Sequence, residues 1–180
     1  MTWNGASAGM IKSTTKVICD AGPIIHLDEL SCLDLLSDFQ EIILSGKVSE
    51  EIKRYRPSAL KREGLSFTTL TQNISPDELL LTICRIFALD AGETEVLALM
   101  QQNPQAMFLT DDASARLAAY QMGFRVHGSI GILIRSIRRG HRDPEETVRI
   151  LAEIPLKSTL HIKPALLKEI IIKIKTEFNL

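Results

Sequence analysis

The sequence predicts an α/β domain with a mostly parallel sheet. Two observations predict it: short apolar runs alternate with helical patterns along the chain, and aspartates stand where several of those runs end. Alternation of this kind makes each helix a crossover between parallel strands. At 180 residues the chain is long enough for one domain with a real core and too short for two comfortable ones. The expected division is a polar extension over residues 1–15, in which Met10 is a second candidate start, and one domain over 16–180.

The elements follow in order. Lys16 to Cys19 reads as a strand that ends at Asp20 and turns into a helix, with Pro23 at its first helical position, running to Leu30. Helical character returns around Leu33, Leu35 and Leu36. Glu41 to Leu44 is a second strand broken by Ser45-Gly46, and Val48 to Tyr55 is a helix that stops short of Pro57. Leu65 to Leu70 is a weaker, third strand, and Pro76 marks the first position of the next helix. Another helix starts at Asp90-Ala-Gly-Glu93 and runs to Asn103. A strand over Ala106 to Thr110 is followed by a helix from Asp112 to Met122, stopped by Gly123. Phe124 to His127 is the last strand; helices follow at Ser129 to Arg139, Pro144 to Glu153 and Pro164 to Thr176. Leu166, Leu167, Ile170, Ile171 and Ile174 form one stripe of the last helix, expected to pack on the core.

Composition excludes several classes. No apolar run approaches the roughly 20 residues that cross a bilayer. Residues 1–15 lack the charged and apolar blocks of a signal peptide. Cys19, Cys32 and Cys84 sit among apolar neighbours without CxxC spacing, so they read as buried thiols in a reducing compartment. A cytoplasmic protein with no membrane association is the expectation. His26 and His127 read as packed or surface histidines, and Gly128-Ser-Ile-Gly131 lacks the spacing of a dinucleotide fingerprint.

The net charge of −1 conceals two basic stretches. Lys47, Lys53, Arg54, Arg56, Lys61 and Arg62 face only Glu50 and Glu51 in sequence, and Arg135, Arg138, Arg139 and Arg142 precede Asp143 without an intervening acid. On an otherwise acidic chain these fit a phosphate-backbone track. Two solvated helix faces explain them equally well.

Chemistry is carried by acids. Ligand crevices of open α/β sheets lie beyond the carboxyl ends of the strands. Asp20 stands there after the first strand, and Asp111 and Asp112 after the strand ending at Thr110. Each has a bland alternative, since aspartate caps helices and fills turns; for Asp112 that is an N-cap with an Arg116 ion pair at i+4. Glu51 lies on the face of Val48, Ile52 and Tyr55, and Glu93 heads the stripe of Val96, Leu97 and Met100. Buried carboxylates need partners or a metal. The alternatives are a capping box with Asp90 for Glu93 and an ion pair for Glu51. Several carboxylates at one sheet edge would repel one another unless a cation sat among them. Oxygen donors select Mg²⁺ or Mn²⁺, and such a site suits phosphodiester hydrolysis.

The run Val17-Ile-Cys-Asp-Ala-Gly-Pro-Ile-Ile-His-Leu resembles the opening strand and helix of PIN domains. Val48-Ser-Glu-Glu-Ile, Ala91-Gly-Glu-Thr-Glu-Val-Leu-Ala-Leu and Phe108-Leu-Thr-Asp-Asp-Ala-Ser-Ala-Arg resemble that family's later acidic motifs, with Gly123-Phe-Arg-Val-His-Gly-Ser-Ile-Gly-Ile-Leu following. The resemblance covers about residues 16 to 175 and implies a three-layer α/β/α sandwich. It implies Mg²⁺- or Mn²⁺-dependent cleavage of RNA, homodimers and, in the VapC-like toxin relatives, an antitoxin protein. By the same resemblance Asp20, Glu51, Glu93 and Asp112 are catalytic, and Asp20, Glu93, Asp111 and Asp112 are metal ligands. Ser129 and Arg116 are the substrate contacts; for Ser129 the alternative is an N-cap. The chain departs from the commonest toxins in its Gly-Glu third motif and its adjacent aspartates. Those departures keep a noncatalytic nucleic-acid- or peptide-binding module as the competing expectation. A phosphoacceptor receiver domain fits less well, because its aspartate pair belongs to the first strand, where Asp20 stands alone.

Overall fold

The structure is a computed structural model that describes residues 16–71 and 75–180; the expected extension over 1–15 lies outside the described residues. Among the described residues five parallel strands form the sheet: β1 (Lys16–Cys19), β2 (Glu41–Ser45), β3 (Phe67–Leu70), β4 (Met107–Leu109) and β5 (Arg125–His127). Their order is β3-β2-β1-β4-β5. The chain builds outward from β1 to β3, then returns to lay β4 against the other side of β1. That reversal makes the carboxyl ends of β1 and β4 the topological switch point of the sheet.

Among the described residues eight α-helices cover the sheet: α1 (Ala21–Glu29), α2 (Gly46–Tyr55), α3 (Glu78–Ile86), α4 (Ala91–Gln102), α5 (Ala113–Gln121), α6 (Ser129–Arg138), α7 (Pro144–Lys157) and α8 (Pro164–Phe178). Short 3-10 turns lie at Leu33–Asp38 and Ala59–Lys61. Together they form the three-layer α/β/α sandwich. β1, β2 and β4 are buried almost throughout, which matches their continuous apolar runs. β5 is a half-exposed edge. Cys19, Cys32 and Cys84 are all free and buried, and no helix among the described residues is long and apolar enough to cross a membrane.

Several local expectations are corrected. Pro23 is the third residue of α1, because Asp20 is the N-cap. Ser45 both ends β2 and caps α2, its hydroxyl accepting from Val48 N, so Ser45-Gly46 joins the two elements without a break. Pro76 precedes α3, whose N-cap is Asp77. α7 continues past Glu153 to Lys157 with Pro155 inside it. In α8, Leu167 and Ile174 reach the core, whereas Leu166 is 49% exposed.

The second basic stretch is mostly structural. Arg135 and Arg139 approach Asp38, and Arg135 also stacks over the Phe39 ring, while Arg142 binds Asp34 and Glu146. These bonds fasten α6 and the loop after it to the 3-10 turn at Leu33–Asp38. In the first stretch Arg56 pairs with Asp28. Lys53, Arg54, Lys61 and Arg62 stay exposed, with no carboxylate partner among the described residues.

Candidate active site

The β1·β4 register sets Cys19 beside Leu109, and Asp20 N extends the ladder by donating to Leu109 O at 2.8 Å. Asp20 and Thr110 are therefore neighbours across the switch point. Asp20 Oδ1 accepts from Ala21 N at 2.8 Å, and Oδ2 accepts from the Thr110 hydroxyl at 3.1 Å. The same hydroxyl accepts from Asp112 N at 3.1 Å, so one buried threonine ties the two acidic strand ends together.

Asp20, Glu51, Glu93, Asp111 and Asp112 line one cleft of about 340 Å³, together with Asp90, His26 and the segment Thr159–His161. Asp112 is the N-cap of α5, accepting from Ala115 N at 2.8 Å. The Arg116 ion pair is not formed: Arg116 Nη2 donates to Thr110 O at 2.9 Å instead. Glu93 does make the capping box, its Oε2 accepting from Asp90 N while Asp90 Oδ1 accepts from Glu93 N, both at 2.8 Å. It also stands half-buried at the head of the stripe of Val96, Leu97 and Met100, facing the cleft. Capping and site placement coexist because each uses part of the side chain.

Glu51 differs from expectation. The buried stripe of α2 is Val48, Ser49 and Ile52, and Tyr55 is 65% exposed. Glu51 therefore sits at the edge of that stripe, solvent-exposed on the rim of the cleft.

Asp111 and Ser129 form a separate unit beneath the acids. Ser129 is fully buried, its backbone N–H donating to Asp111 Oδ1 at 2.8 Å and its hydroxyl to Oδ2 at 2.5 Å. His26 Nδ1 lies 2.8 Å from the same Oδ2. Ser129 is the first residue of α6; Gly128 is the N-cap, so the N-cap alternative for Ser129 does not hold. The carboxylate thus rests at a helix N-terminus, where the dipole favours it. Hydrogen bonds from His26 and Ser129 outweigh burial and hold the Asp111 carboxyl below its usual range. Gly128 makes the packing possible. A Cβ there would come within 2.5 Å of both Arg116 Nη2 and Asp111 Oδ1, and 3.1 Å from Thr110 O. Gly128→Ala is expected to cost about 1–3 kcal/mol in urea denaturation through this overpacking.

Electrostatics set the upper acids apart. Burial, with Glu51 and Asp90 adding repulsion, raises the Asp20 carboxyl to about 6. Burial, with Asp112, Asp90 and Asp20 adding repulsion, raises Glu93 to about 7. Glu51 is raised by partial burial and by Asp90. These side chains disfavour one another's charge, the condition that a bound cation relieves. Their donors are all carboxylate oxygens, which fits a hard divalent ion. Among the described residues, no three such side chains already stand in a geometry that closes on a metal ion. The fit therefore lies in donor chemistry and in charge.

The raised values have a sign. Between about pH 4 and 7 the native protein holds protons that the unfolded chain has released, so stability is lost as pH rises through that window. Asp111 and Glu29, held below the usual range, lose their contributions only in stronger acid. In EDTA the Tm is expected to fall between about pH 4 and 7, with Mn²⁺ restoring it at the upper end alone. Differential scanning fluorimetry across a pH series measures both effects.

A family model described as PIN domain matches residues 16–176. The chain belongs to the PIN-domain family. A comparison with curated proteins returns no match. The PIN assignment makes this a nuclease-type, nucleic-acid-binding module, of a family that typically uses divalent metal ions. Within this PIN domain three features escape a reading of the sequence. Asp90 enters the cleft beside Glu93, His26 supports Asp111, and Thr159–His161 form one wall. For His26 a signal exists: it follows Gly22 by four residues, one helical turn, so both face Asp111. Nothing local marks Thr159–His161.

Proposed function

We propose that this chain is a divalent-metal-dependent endoribonuclease that hydrolyses RNA phosphodiester bonds. The observation that carries the reading is the single cleft at the switch point, lined by acids from four separate segments whose charges oppose one another. Asp20, Glu93 and Asp112 would hold the ion, Mg²⁺ or Mn²⁺. When bound, the ion supplies Lewis-acid polarisation of the phosphate and a more acidic water. Asp20 is oriented by Ala21 N and Thr110, and Glu93 by Asp90 N. Glu51, on the rim of the cleft, would accept a proton from the attacking water. Asp111 meets three donors, so its role in this reading is to position β4 and α6 rather than to bind metal. Ser129 serves Asp111 from the interior instead of touching substrate.

The wider reading takes residues 16–180 as one domain working in the cytoplasm. It includes a homodimer, supported by exposed Leu117 and Tyr120 on α5, and an antitoxin protein that would occupy the cleft. Light scattering tests the first, and co-purification with the product of an adjacent gene tests the second.

Purified protein with Mn²⁺ is expected to cut single-stranded RNA and to stop on EDTA addition. Attack by water leaves a 5′-phosphate and a 3′-hydroxyl. Products ending in 2′,3′-cyclic phosphate would mark a different mechanism and sink the proposal. The competing reading, a binding module without turnover, rests on the Gly-Glu third motif and the adjacent aspartates 111 and 112. It predicts RNA binding with no cleavage in any divalent ion.

A further inference from the structure

A second pocket, of about 420 Å³, adjoins the acidic cleft and shares Asp111, Leu160 and His161 with it. It opens between the end of β5, the first turn of α6 and the start of α8, and its volume falls within the roughly 300–1,000 Å³ of small-ligand sites. Arg116, His127 and His161 stand in its wall beside an apolar surface of Ile130, Ile162 and Leu166. Asp111, the one carboxylate among the described residues of its wall, is already met by His26 and Ser129. Arg116 has no ion-pair partner among the described residues; it donates to a backbone carbonyl. Burial foremost, with the nearby Arg135, Arg116 and Arg125 adding to it, pushes the His127 ring below its usual value.

The opposite flank of the cleft has the other character. A cavity of about 610 Å³ meets the cleft through Asp90, and there Lys47 is outnumbered by Asp90 and Glu95. An anionic strand leaving the acids on the α6–α8 side meets the Arg116 guanidinium.

A tether fixes that side. Ser158 Oγ and Thr159 N donate to Glu29 Oε2 at 2.8 and 2.7 Å, and Thr159 Oγ1 donates to Oε1 at 3.0 Å. Those bonds pull the α7–α8 connection onto the end of α1, sink Leu160 into the protein, and leave His161 exposed at the boundary of the two pockets.

We propose that this pocket holds the RNA nucleotide next to the bond being cut, with its phosphate on Arg116 and His161 and its base against Ile162 and Leu166. The inference rests on the nuclease reading for its position, yet it is tested by binding. His161→Ala and Leu166→Glu change exposed side chains and leave the core intact. Fluorescence anisotropy with a labelled 12-nucleotide RNA in EDTA is expected to show Kd rising about tenfold in each, the scale of removing one charge-assisted hydrogen bond or adding one like charge. Mn²⁺ affinity by calorimetry should match wild type, separating a substrate subsite from damage to the acids. RNA affinity within about twofold of wild type in both variants overturns the inference, whatever else they lose. Weakened binding by the variants of a wild type that does not cut would uphold the pocket and refute the nuclease. Normal cutting with undiminished binding would do the reverse.

Discussion

Asp20→Asn is expected to abolish cleavage and, in the same molecule, to raise the thermal stability of the metal-free protein. Asparagine keeps the oxygen that caps α1 through Ala21 N, and it can still pair with Thr110. What it removes is a largely buried negative charge facing Glu51 and Asp90. On the proposed reading, the ion would lose a ligand at the switch point with that charge. A rate loss of about 10³ or more is expected, equivalent to about 4 kcal/mol of transition-state stabilisation. In EDTA near pH 8 the wild-type carboxyl, raised to about 6, must ionise at a cost that asparagine does not bear. The variant should therefore melt higher than wild type without metal, and Mn²⁺ should shift it less. An active variant would remove Asp20 from the chemistry. An inactive variant that melts lower in EDTA would show that the acid is structural. Opposed effects on activity and stability are the signature of a strained functional group.

Asp111→Ala is expected to fail in the opposite way. It leaves the Ser129 N–H, the Ser129 hydroxyl and the His26 ring without their acceptor in a buried setting. Breaking a buried charged network of this kind costs about 3 kcal/mol or more, so the Tm should fall by roughly 6–12 °C for a chain of this size. Asp112→Asn keeps the cap on α5 and should be nearly neutral in urea while weakening Mn²⁺ binding. Two adjacent aspartates would thus separate into one that holds the fold and one that faces the ion. Equal stability losses in both variants would contradict that division.

The strands, their parallel arrangement and the positions of the strand-end acids are legible in the sequence, because apolar runs and turn residues are local signals. Asp20 and Asp112 can be read for that reason, as can the Asp90–Glu93 box. Partners brought in by tertiary structure cannot. Arg135, Arg139 and Arg142 look like a nucleic-acid track in isolation, yet their partners Asp34 and Asp38 lie about a hundred residues earlier. Ser129 looks available beyond a strand, but close packing at Gly128 sinks it under Asp111. Helical spacing points Glu51 inward, and the exposure of Tyr55 moves the buried stripe away from it. The wall at Thr159–His161 depends on Glu29, 130 residues distant, a separation no local pattern encodes.

That last separation has a bearing on biosynthesis. The first acid leaves the ribosome early, whereas the segment that closes the cleft emerges after α7. At 5–20 residues per second, roughly 7–30 s of translation lie between them. Parallel crossovers also form slowly, since distant pieces must meet before any favourable interaction rewards them. A nascent chain stalled before Ser158 therefore lacks the wall of the cleft that Thr159, Leu160 and His161 supply.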